Sequence, residues 1–352
     1  METGNYKKLF RQLFLLSLPI LCIVISFFVF DPYGFFLPLE QKSTALIPVS
    51  DDYIAVERYL QNTPQQHYNS FTFGNSKTLA FLTSDWCTYI QPCRPFKFGV
   101  PGECIFNIYN KLKLIDAQGD SIKHVLILLD NKLFLNFKNT QKFFQGPAYI
   151  HHPYSMDGTW MEFYSAYLKF YFADFAFMKV AKYKLSGSYT ADMESIFKKP
   201  VSAENKHNEL TYLPLSNEVI NTGAEALLTK DSTAYFMANK SKFTNRATLQ
   251  QESASWKIKA EDLEFLGEIQ TLFKKHQTKY TIILGPNYDQ IPFPISEKIK
   301  LQQLFGAENI YDFTGVNSIT NAISNYYEQS HYRITVGKQL LQKIYAPPLT
   351  KQ

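Results

Sequence analysis

Residues 68–82 read YNSFTFGNSKTLAFL. Tyr68–Phe73 alternates polar and apolar side chains and ends at Gly74, which is typical of a strand that enters a tight turn. Ser76–Leu82 can continue as a helix. Ser76 would then lie in the first helical turn, where free backbone N–H groups favour negative charge. A serine displayed in this way becomes a nucleophile when a base takes its proton.

The same alternation of strand and helix recurs along the chain. We predict four further strands at Pro95–Val100, Ile122–Leu129, Tyr280–Leu284 and Asn309–Phe313. We predict helices at Cys104–Leu114, from Ala260 onward, at Ser296–Phe305 and at about Arg333–Ile344. Short strands separated by helices predict an α/β fold with a parallel sheet covered on both faces.

In such sheets the ligand crevice lies at the carboxyl ends of the strands. Several residues suited to a site follow predicted strands and should meet there: Ser76, Gly99, Gly102, Asn131 and Pro286. A base for Ser76 is available in Glu328-Gln329-Ser330-His331-Tyr332, because a carboxylate three residues before a histidine can reach its ring on a turn. The alternatives are an ordinary turn serine, a surface or capping His331, and Glu328 as an acid at a helix start.

Composition limits the class of protein. The chain has 352 residues, 45% hydrophobic and 19% charged, which suits a globular domain with an insertion or a second small domain. The net charge of +5 is mild for this length, and no basic run is interleaved with aromatic residues. A nucleic-acid partner is therefore not expected.

The N-terminus contains an apolar segment, Gln12–Phe30, that follows Lys7, Lys8 and Arg11. Its length of about twenty residues matches the hydrocarbon core of a bilayer. The alternatives are a cleaved signal peptide, whose apolar region is shorter and ends in a small-residue cleavage site, and a buried helix of a soluble domain. We predict a retained transmembrane anchor with a cytoplasmic N-terminus and an extracytoplasmic main domain.

Cysteine spacing adds to this placement. In an oxidising compartment Cys87 could pair with Cys93 across a short loop, leaving Cys104 free. The spacing does not suit a tetrahedral zinc site and no histidine cluster lies nearby, so no metal is expected.

The strand–helix alternation is interrupted between Gly146 and Gln251. Within it, Trp160–Met178 (WMEFYSAYLKFYFADFAFM) is rich in aromatic residues but too charged for a membrane span. It is interpreted either as a helix that packs a lid or side core, or as a surface in the membrane interface or on an integral-membrane partner. The segment Glu194–Asn245 is more polar and is expected to be rich in loops.

These patterns predict four regions. Residues 1–36 form the cytoplasmic N-terminus and transmembrane anchor, residues 37–140 and 256–352 form the two parts of the α/β domain, and residues 141–255 form an aromatic-rich, largely helical insertion or lid.

Together, Gly74-Asn75-Ser76, Gly99, Gly102, Asp130-Asn131 and Glu328-x-x-His331 resemble the SGNH (GDSL-like) esterase and acyltransferase superfamily. Tyr327-x-x-Ser330-His331-Tyr332-Arg333 with Gly337 further resembles its membrane-anchored branch, which includes alginate O-acetylation and D-alanyl-lipoteichoic acid transfer proteins. The resemblance covers about half the chain, the sheet-forming half. It implies a flavodoxin-like three-layer sandwich with ester hydrolysis or acyl transfer at a serine.

The resemblance also implies a role for each residue. Ser76 would be the nucleophile, His331 the general base, and Glu328 would stand where an aspartate is usual. The oxyanion hole would combine the backbone N–H of Ser76, a backbone N–H at Gly99 or Gly102, and the side-chain amide of Asn131. The glycine that the family has before this asparagine is missing here, and Asp130 precedes Asn131 directly.

The expected function is addition or removal of a small acyl group, acetyl by preference, on a carbohydrate of the cell envelope, without metal or organic cofactor. An integral-membrane protein that donates the acyl group is a further partner that the relatives imply. The competing hypothesis is a non-catalytic scaffold or binding protein of envelope polysaccharide assembly. A soluble cytoplasmic esterase is disfavoured by the anchor.

Overall fold

The computed structural model describes residues 3–135, 147–197, 210–251 and 257–346. The region boundaries predicted at residues 140–141 and 255–256 lie outside these ranges. The α-helices in them are α1 (Thr3–Phe30), α2 (Asp51–Gln66), α3 (Thr83–Trp86), α4 (Ile105–Ala117), α5 (Asn131–Leu135), α6 (Pro153–Met156), α7 (Trp160–Phe172), α8 (Ala176–Ser186), α9 (Thr222–Lys230), α10 (Ser232–Ala238), α11 (Arg246–Gln251), α12 (Ala260–His276), α13 (Ile295–Phe305), α14 (Ser318–Asn321) and α15 (Ile334–Tyr345). The strands are β1 (Ser70–Gly74), β2 (Pro95–Gly99), β3 (His124–Leu129), β4 (Leu210–Leu213), β5 (Glu218–Asn221), β6 (Lys279–Leu284), β7 (Ile310–Asp312), β8 (Tyr326–Glu328) and β9 (His331–Tyr332).

Five strands form one parallel sheet in the order β2-β1-β3-β6-β7. These are the five strands that the sequence predicts, so the α/β class with a parallel sheet is confirmed. The central strand β3 is buried along its whole length, because its run HVLILL supplies apolar side chains to both faces.

Alternate residues of the strands belong to different cores. Val125 and Ile127 of β3 join a cluster with residues of α2, α4, α12 and α13. Leu126 and Leu128 join a second cluster with residues of α15. Helices therefore cover both faces of the sheet, as the period-2 geometry of a strand requires.

The chain divides into two compact units, one of Met1–Ser50, Phe144–Pro153 and Gly158–Val201, the other of Asp51–Phe143, Tyr154–Asp157 and Ser202–Gln352. The sheet belongs to the second unit. The first unit contains α1, whose stretch Tyr6–Phe30 includes an 18-residue window with a mean hydropathy of 2.9 and is long and apolar enough to cross a membrane. The orientation of this helix stays a prediction.

The aromatic segment differs from the expected single helix. It is two helices, α7 and α8, separated by a 3-10 turn at Ala173–Phe175. Phe175 adopts φ +54°, a left-handed conformation that cannot continue a right-handed helix.

The cysteines pair as the spacing allows. Cys87 and Cys93 form a disulfide with a Cα–Cα distance of 5.5 Å, and Cys104 is a free, buried thiol. Burial raises the pKa of Cys104 to about 12. This thiol is therefore protonated and unreactive at neutral pH.

Helix α15 crosses the 3-10 helix Ser76–Ala80 at Gly337. A Cβ atom built on Gly337 would lie 1.9 Å from the carbonyl oxygen of Ala80, so the backbones approach too closely for any side chain. This contact holds the C-terminal helix against the turn that carries Ser76.

We expect Gly337→Ala to lower the free energy of unfolding by about 1–3 kcal/mol, because overpacking against backbone outweighs the better helix propensity of alanine. Urea unfolding of the full chain in detergent measures the change. Lys338→Ala is the matched control, because its side chain is 71% exposed. Equal unfolding midpoints for the two variants would contradict the assignment of a tight contact.

Candidate active site

Ser76 is positioned by the turn at the end of β1. Gly74 has φ +143°, and a Cβ atom built there would lie 2.7 Å from the carbonyl oxygen of Leu128, so the turn requires glycine. Asn75 then caps the 3-10 helix by accepting a hydrogen bond from the backbone N–H of Lys77 at 3.0 Å. Ser76 is the first residue of that helix, and it lies at the end of the sheet where the carboxyl ends of the parallel strands meet.

The histidine reaches Ser76 from the other end of the chain. Nε2 of His331 lies 2.7 Å from Oγ of Ser76, and Nδ1 of the same ring contacts Oε1 of Glu328. Strands β8 and β9 pair as an antiparallel hairpin, which turns His331 back toward the glutamate three residues earlier. The backbone N–H of Ser330 donates to the second Glu328 oxygen at 2.7 Å.

These contacts set the proton positions. Burial would raise the pKa of Glu328, but the hydrogen bonds from His331 and from the Ser330 N–H outweigh it and hold the pKa below its usual range. An ionised Glu328 accepts a hydrogen bond from Nδ1–H, which keeps the ring proton on Nδ1 and leaves Nε2 to accept a hydrogen bond from the Ser76 hydroxyl. The ring is 35% exposed at its side chain, so a substrate can reach it.

The β8–β9 hairpin, which carries His331, is held in place by Glu225 of α9. Arg333 donates to both of its carboxylate oxygens, from Nε at 3.1 Å and from Nη2 at 2.6 Å. The hydroxyl of Tyr327 donates to the same carboxylate at 2.5 Å. Tyr235 donates to the Tyr327 carbonyl at 3.0 Å. A bidentate, partly buried pair of this kind fixes geometry well, and here it fixes the loop that carries His331.

A buried ion pair lies beneath the serine turn. Nζ of Lys77 donates to Asp130 at 2.6 Å and to the side-chain oxygen of Asn287 at 2.6 Å, and the Asn75 amide donates to Asp130 at 2.8 Å. Burial would raise the pKa of Asp130, but the Lys77 ammonium and the hydrogen bonds hold it below its usual range. The network ties together the loops that follow β1, β3 and β6.

Ser76 and His331 open into a cavity of about 600 Å³. Its described lining comes from two parts of the chain. The α/β framework contributes Asp51, Ile54, Ser76, Leu79, Gly99, Val100, Pro101, Tyr327, Glu328, His331, Tyr332 and Ile334, and the predicted insertion contributes Leu210, Tyr212, Asn217, Val219, Asn221, Ala224, Leu227, Tyr235, Asn239 and Lys242.

The β4–β5 hairpin is fixed to the sheet edge by a second buried ion pair. Lys97 of β2 lies 2.9 Å from Glu218 of β5, and both side chains are 1% exposed. Burial lowers the pKa of Lys97 despite the attraction of the Glu218 carboxylate. Asn217 also donates to the Lys97 carbonyl at 2.8 Å. The hairpin is therefore a fixed wall of the cavity.

The predicted site residues divide into two groups. Ser76, Glu328 and His331 meet directly, and Gly99 lines the same cavity. Gly102 and Asn131 are not among the described lining residues, and their role as oxyanion donors stays a prediction. Asp130, which occupies the position of the glycine in the resembled pattern, forms an ion pair with Lys77.

The sequence reasoning missed the cavity wall. The described part of Glu194–Asn245 from residue 210 onward contains a hairpin and two helices rather than mainly loops. A signal was present, because LTYL and EVIN are short β-prone runs separated by Pro214 and Asn217, which favour turns.

No protein-family model matches the chain, and no curated protein matches it.

We expect Asp130→Asn to destabilise the protein by about 3 kcal/mol at pH 7, because it leaves the Lys77 ammonium buried without its counter-charge. A lowered pKa in the folded state gives stability that is present above the unfolded value, near pH 4, and is lost as pH falls through the folded value. The variant lacks this term, so its unfolding free energy should fall less steeply below about pH 4.

Urea unfolding at a series of pH values from neutral to acid tests this expectation. Glu264→Gln, at an exposed carboxylate, is the control and should follow the wild-type curve. Parallel curves for wild type and Asp130→Asn would show that the Asp130 carboxylate contributes no pH-dependent stability.

Proposed function

We propose that this chain is a membrane-anchored serine esterase or O-acyltransferase of the SGNH type. The observation that carries the proposal is the 2.7 Å contact between Ser76 Oγ and His331 Nε2, with Glu328 on the other ring nitrogen. The strand order β2-β1-β3-β6-β7 adds support, because it is the order of flavodoxin-like sheets, whose ligands bind at the switch point between β1 and β3. Ser76 lies just after β1. The proposed nucleophile is therefore at the carboxyl end of one of the two strands that flank this switch point.

In the proposed reaction, His331 Nε2 takes the Ser76 proton while Oγ attacks the ester carbonyl carbon. Glu328 stabilises the imidazolium, which then gives its proton to the leaving alkoxide. The acyl group remains on Ser76 until water or a sugar hydroxyl, deprotonated by His331 Nε2, attacks the same carbonyl carbon. The bond between that carbon and Ser76 Oγ then breaks, and the imidazolium returns its proton to Oγ, which restores the serine hydroxyl. The proposed donors to the oxyanion are the backbone N–H of Ser76, a backbone N–H at Gly99 or Gly102, and the side-chain amide of Asn131.

The cavity supports an ester of a small acyl group on a carbohydrate, with acetyl as the first candidate. A volume of about 600 Å³ is larger than an acetyl group needs, so it leaves room for part of the alcohol as well. The described lining includes Tyr212, Tyr235, Tyr327 and Tyr332 beside Asn217, Asn221 and Asn239. Flat apolar surfaces with a few directed polar groups are the usual means of orienting a ligand.

The compartment is also part of the proposal. A disulfide between Cys87 and Cys93 is stable in an oxidising compartment, which supports an extracytoplasmic site for the domain. Together with α1 as the anchor, this would place the enzyme among cell-envelope carbohydrates. An integral-membrane acyl-donor partner remains an expectation from the resemblance.

We expect the purified full chain to react covalently with a serine-directed fluorophosphonate and to hydrolyse p-nitrophenyl acetate. Ser76→Ala should abolish labelling and reduce turnover to background, because it removes the nucleophile. Glu328→Gln should lower turnover on the order of a hundredfold to ten-thousandfold, because the ring loses the carboxylate that orients it and stabilises its charge.

Ser324→Ala, at an exposed serine, is the matched control and should retain both signals. Circular dichroism checks that each variant is folded. A folded wild type that neither labels nor turns over ester would overturn the proposal and favour a non-catalytic scaffold in envelope polysaccharide assembly.

A further inference from the structure

We propose that α7 and α8 lie in the lipid interface at the carboxyl end of α1, so that the protein binds the bilayer through three helices rather than one. The proposal is independent of the chemistry at Ser76. It rests on α1 crossing a bilayer and on how the helices of its compact unit pack.

The depth of α1 follows from its sequence. Its apolar run Gln12–Phe30 is bounded by Arg11 and Asp31, and at about 1.5 Å per residue it nearly equals the roughly 30 Å hydrocarbon core. A helix that fits the core so closely places Ser26–Phe30 within about one turn of the boundary with the headgroups.

Helix α7 is attached to α1 at this depth. The hydroxyls of Ser26 and Tyr171 lie 3.0 Å apart, and the rings of Phe27 and Tyr171 have centroids 5.4 Å apart. Phe28, which is 45% exposed, lies beside Tyr164 at 6.4 Å. The medium around the exposed side of Phe28, lipid or water, is therefore expected to contact α7 as well.

The chemistry of α7 suits the interface. Trp160 stacks on Tyr164 with centroids 5.8 Å apart, which places an indole and a phenol near the end of α1. Tryptophan and tyrosine are enriched where hydrocarbon meets the headgroups, because one end of the side chain is apolar and the other is polar.

Helix α8 packs on α1 with one face and leaves an apolar face uncovered. Ala176 and Val180 are buried, whereas Phe175, Met178 and Leu185 at the other face are 65%, 58% and 77% exposed. Large apolar residues exposed together normally mark an interaction surface. Lipid is the occupant we infer, because α8 packs against α1, whose own exposed side chains are large and apolar along the membrane-length run.

The charges of α8 agree with lipid. The helix contains Lys179, Lys182 and Lys184 and no acidic residue. Lysine stems can lie along hydrocarbon while their ammonium groups reach anionic headgroups. An apolar face combined with lysines is the pattern of a helix that lies in the plane of the interface.

Spin labels on the full chain in nanodiscs that contain anionic lipid test the proposal. In a Cys22→Ser background, single labels are placed on α8 through Met178→Cys and Leu185→Cys. The references are Leu16→Cys, at a residue 73% exposed on α1, and Lys338→Cys, at a side chain 71% exposed in the other compact unit. Collision rates with oxygen, which concentrates in lipid, and with a water-soluble nickel chelate are measured at each site.

We expect the ratio of oxygen to nickel accessibility at residues 178 and 185 to be several-fold higher than at residue 338 and to approach that at residue 16. Circular dichroism and the thermal unfolding midpoint confirm that the labelled proteins fold. Ratios at 178 and 185 equal to that at 338 would overturn the proposal and leave the α8 face to a protein partner. A water-like ratio at residue 16 would overturn it as well, because α1 would then not lie in lipid.

Discussion

The hydrogen bond between Ser76 and His331 joins residues 255 positions apart, and much of the second compact unit is needed to form it. The carboxyl end of β1 lies at the rim where the parallel strands end, and the turn at Gly74 displays the serine there. The hairpin of β8 and β9 brings the histidine to the same rim. A bond of this kind tolerates little movement, because proton transfer requires the two atoms to stay within hydrogen-bond distance.

Buried charges hold the surroundings of this bond in place. Lys77 with Asp130 fixes the serine turn, and Lys97 with Glu218 fixes the cavity wall. A buried ion pair contributes little net stability, because desolvation offsets the attraction, yet losing one partner is costly. We infer that these ion pairs fix the geometry of the site rather than add net stability. Lys77–Asp130 joins the loops after β1 and β3, and Lys97–Glu218 joins the β4–β5 hairpin to β2.

The cavity belongs to two parts of the chain that the sequence keeps apart. The α/β framework supplies Ser76, Glu328 and His331, and residues 210–242 supply much of the wall. Helix α9 links these two parts. Its residues Ala224 and Leu227 line the cavity, while the carboxylate of Glu225 binds Arg333 beside the hairpin of His331. A change in the wall is therefore expected to alter both the choice of ligand and the position of the base.

Local patterns in the sequence were sufficient to predict the five strands of the sheet, the apolar helix α1 and the pairing of Cys87 with Cys93. Each of these depends on the periodicity, length or spacing of a short run of residues, which can be read directly from the sequence. It also singled out Ser76, Glu328 and His331, because a serine just after a strand-ending glycine and a glutamate three residues before a histidine are local features of the chain. The tertiary structure alone decided that Asp130 binds Lys77, that Glu225 holds Arg333, and that the β4–β5 hairpin forms the cavity wall. These contacts join residues distant in sequence, and the free energy that selects them comes from burial and charge pairing in the folded chain rather than from local propensity.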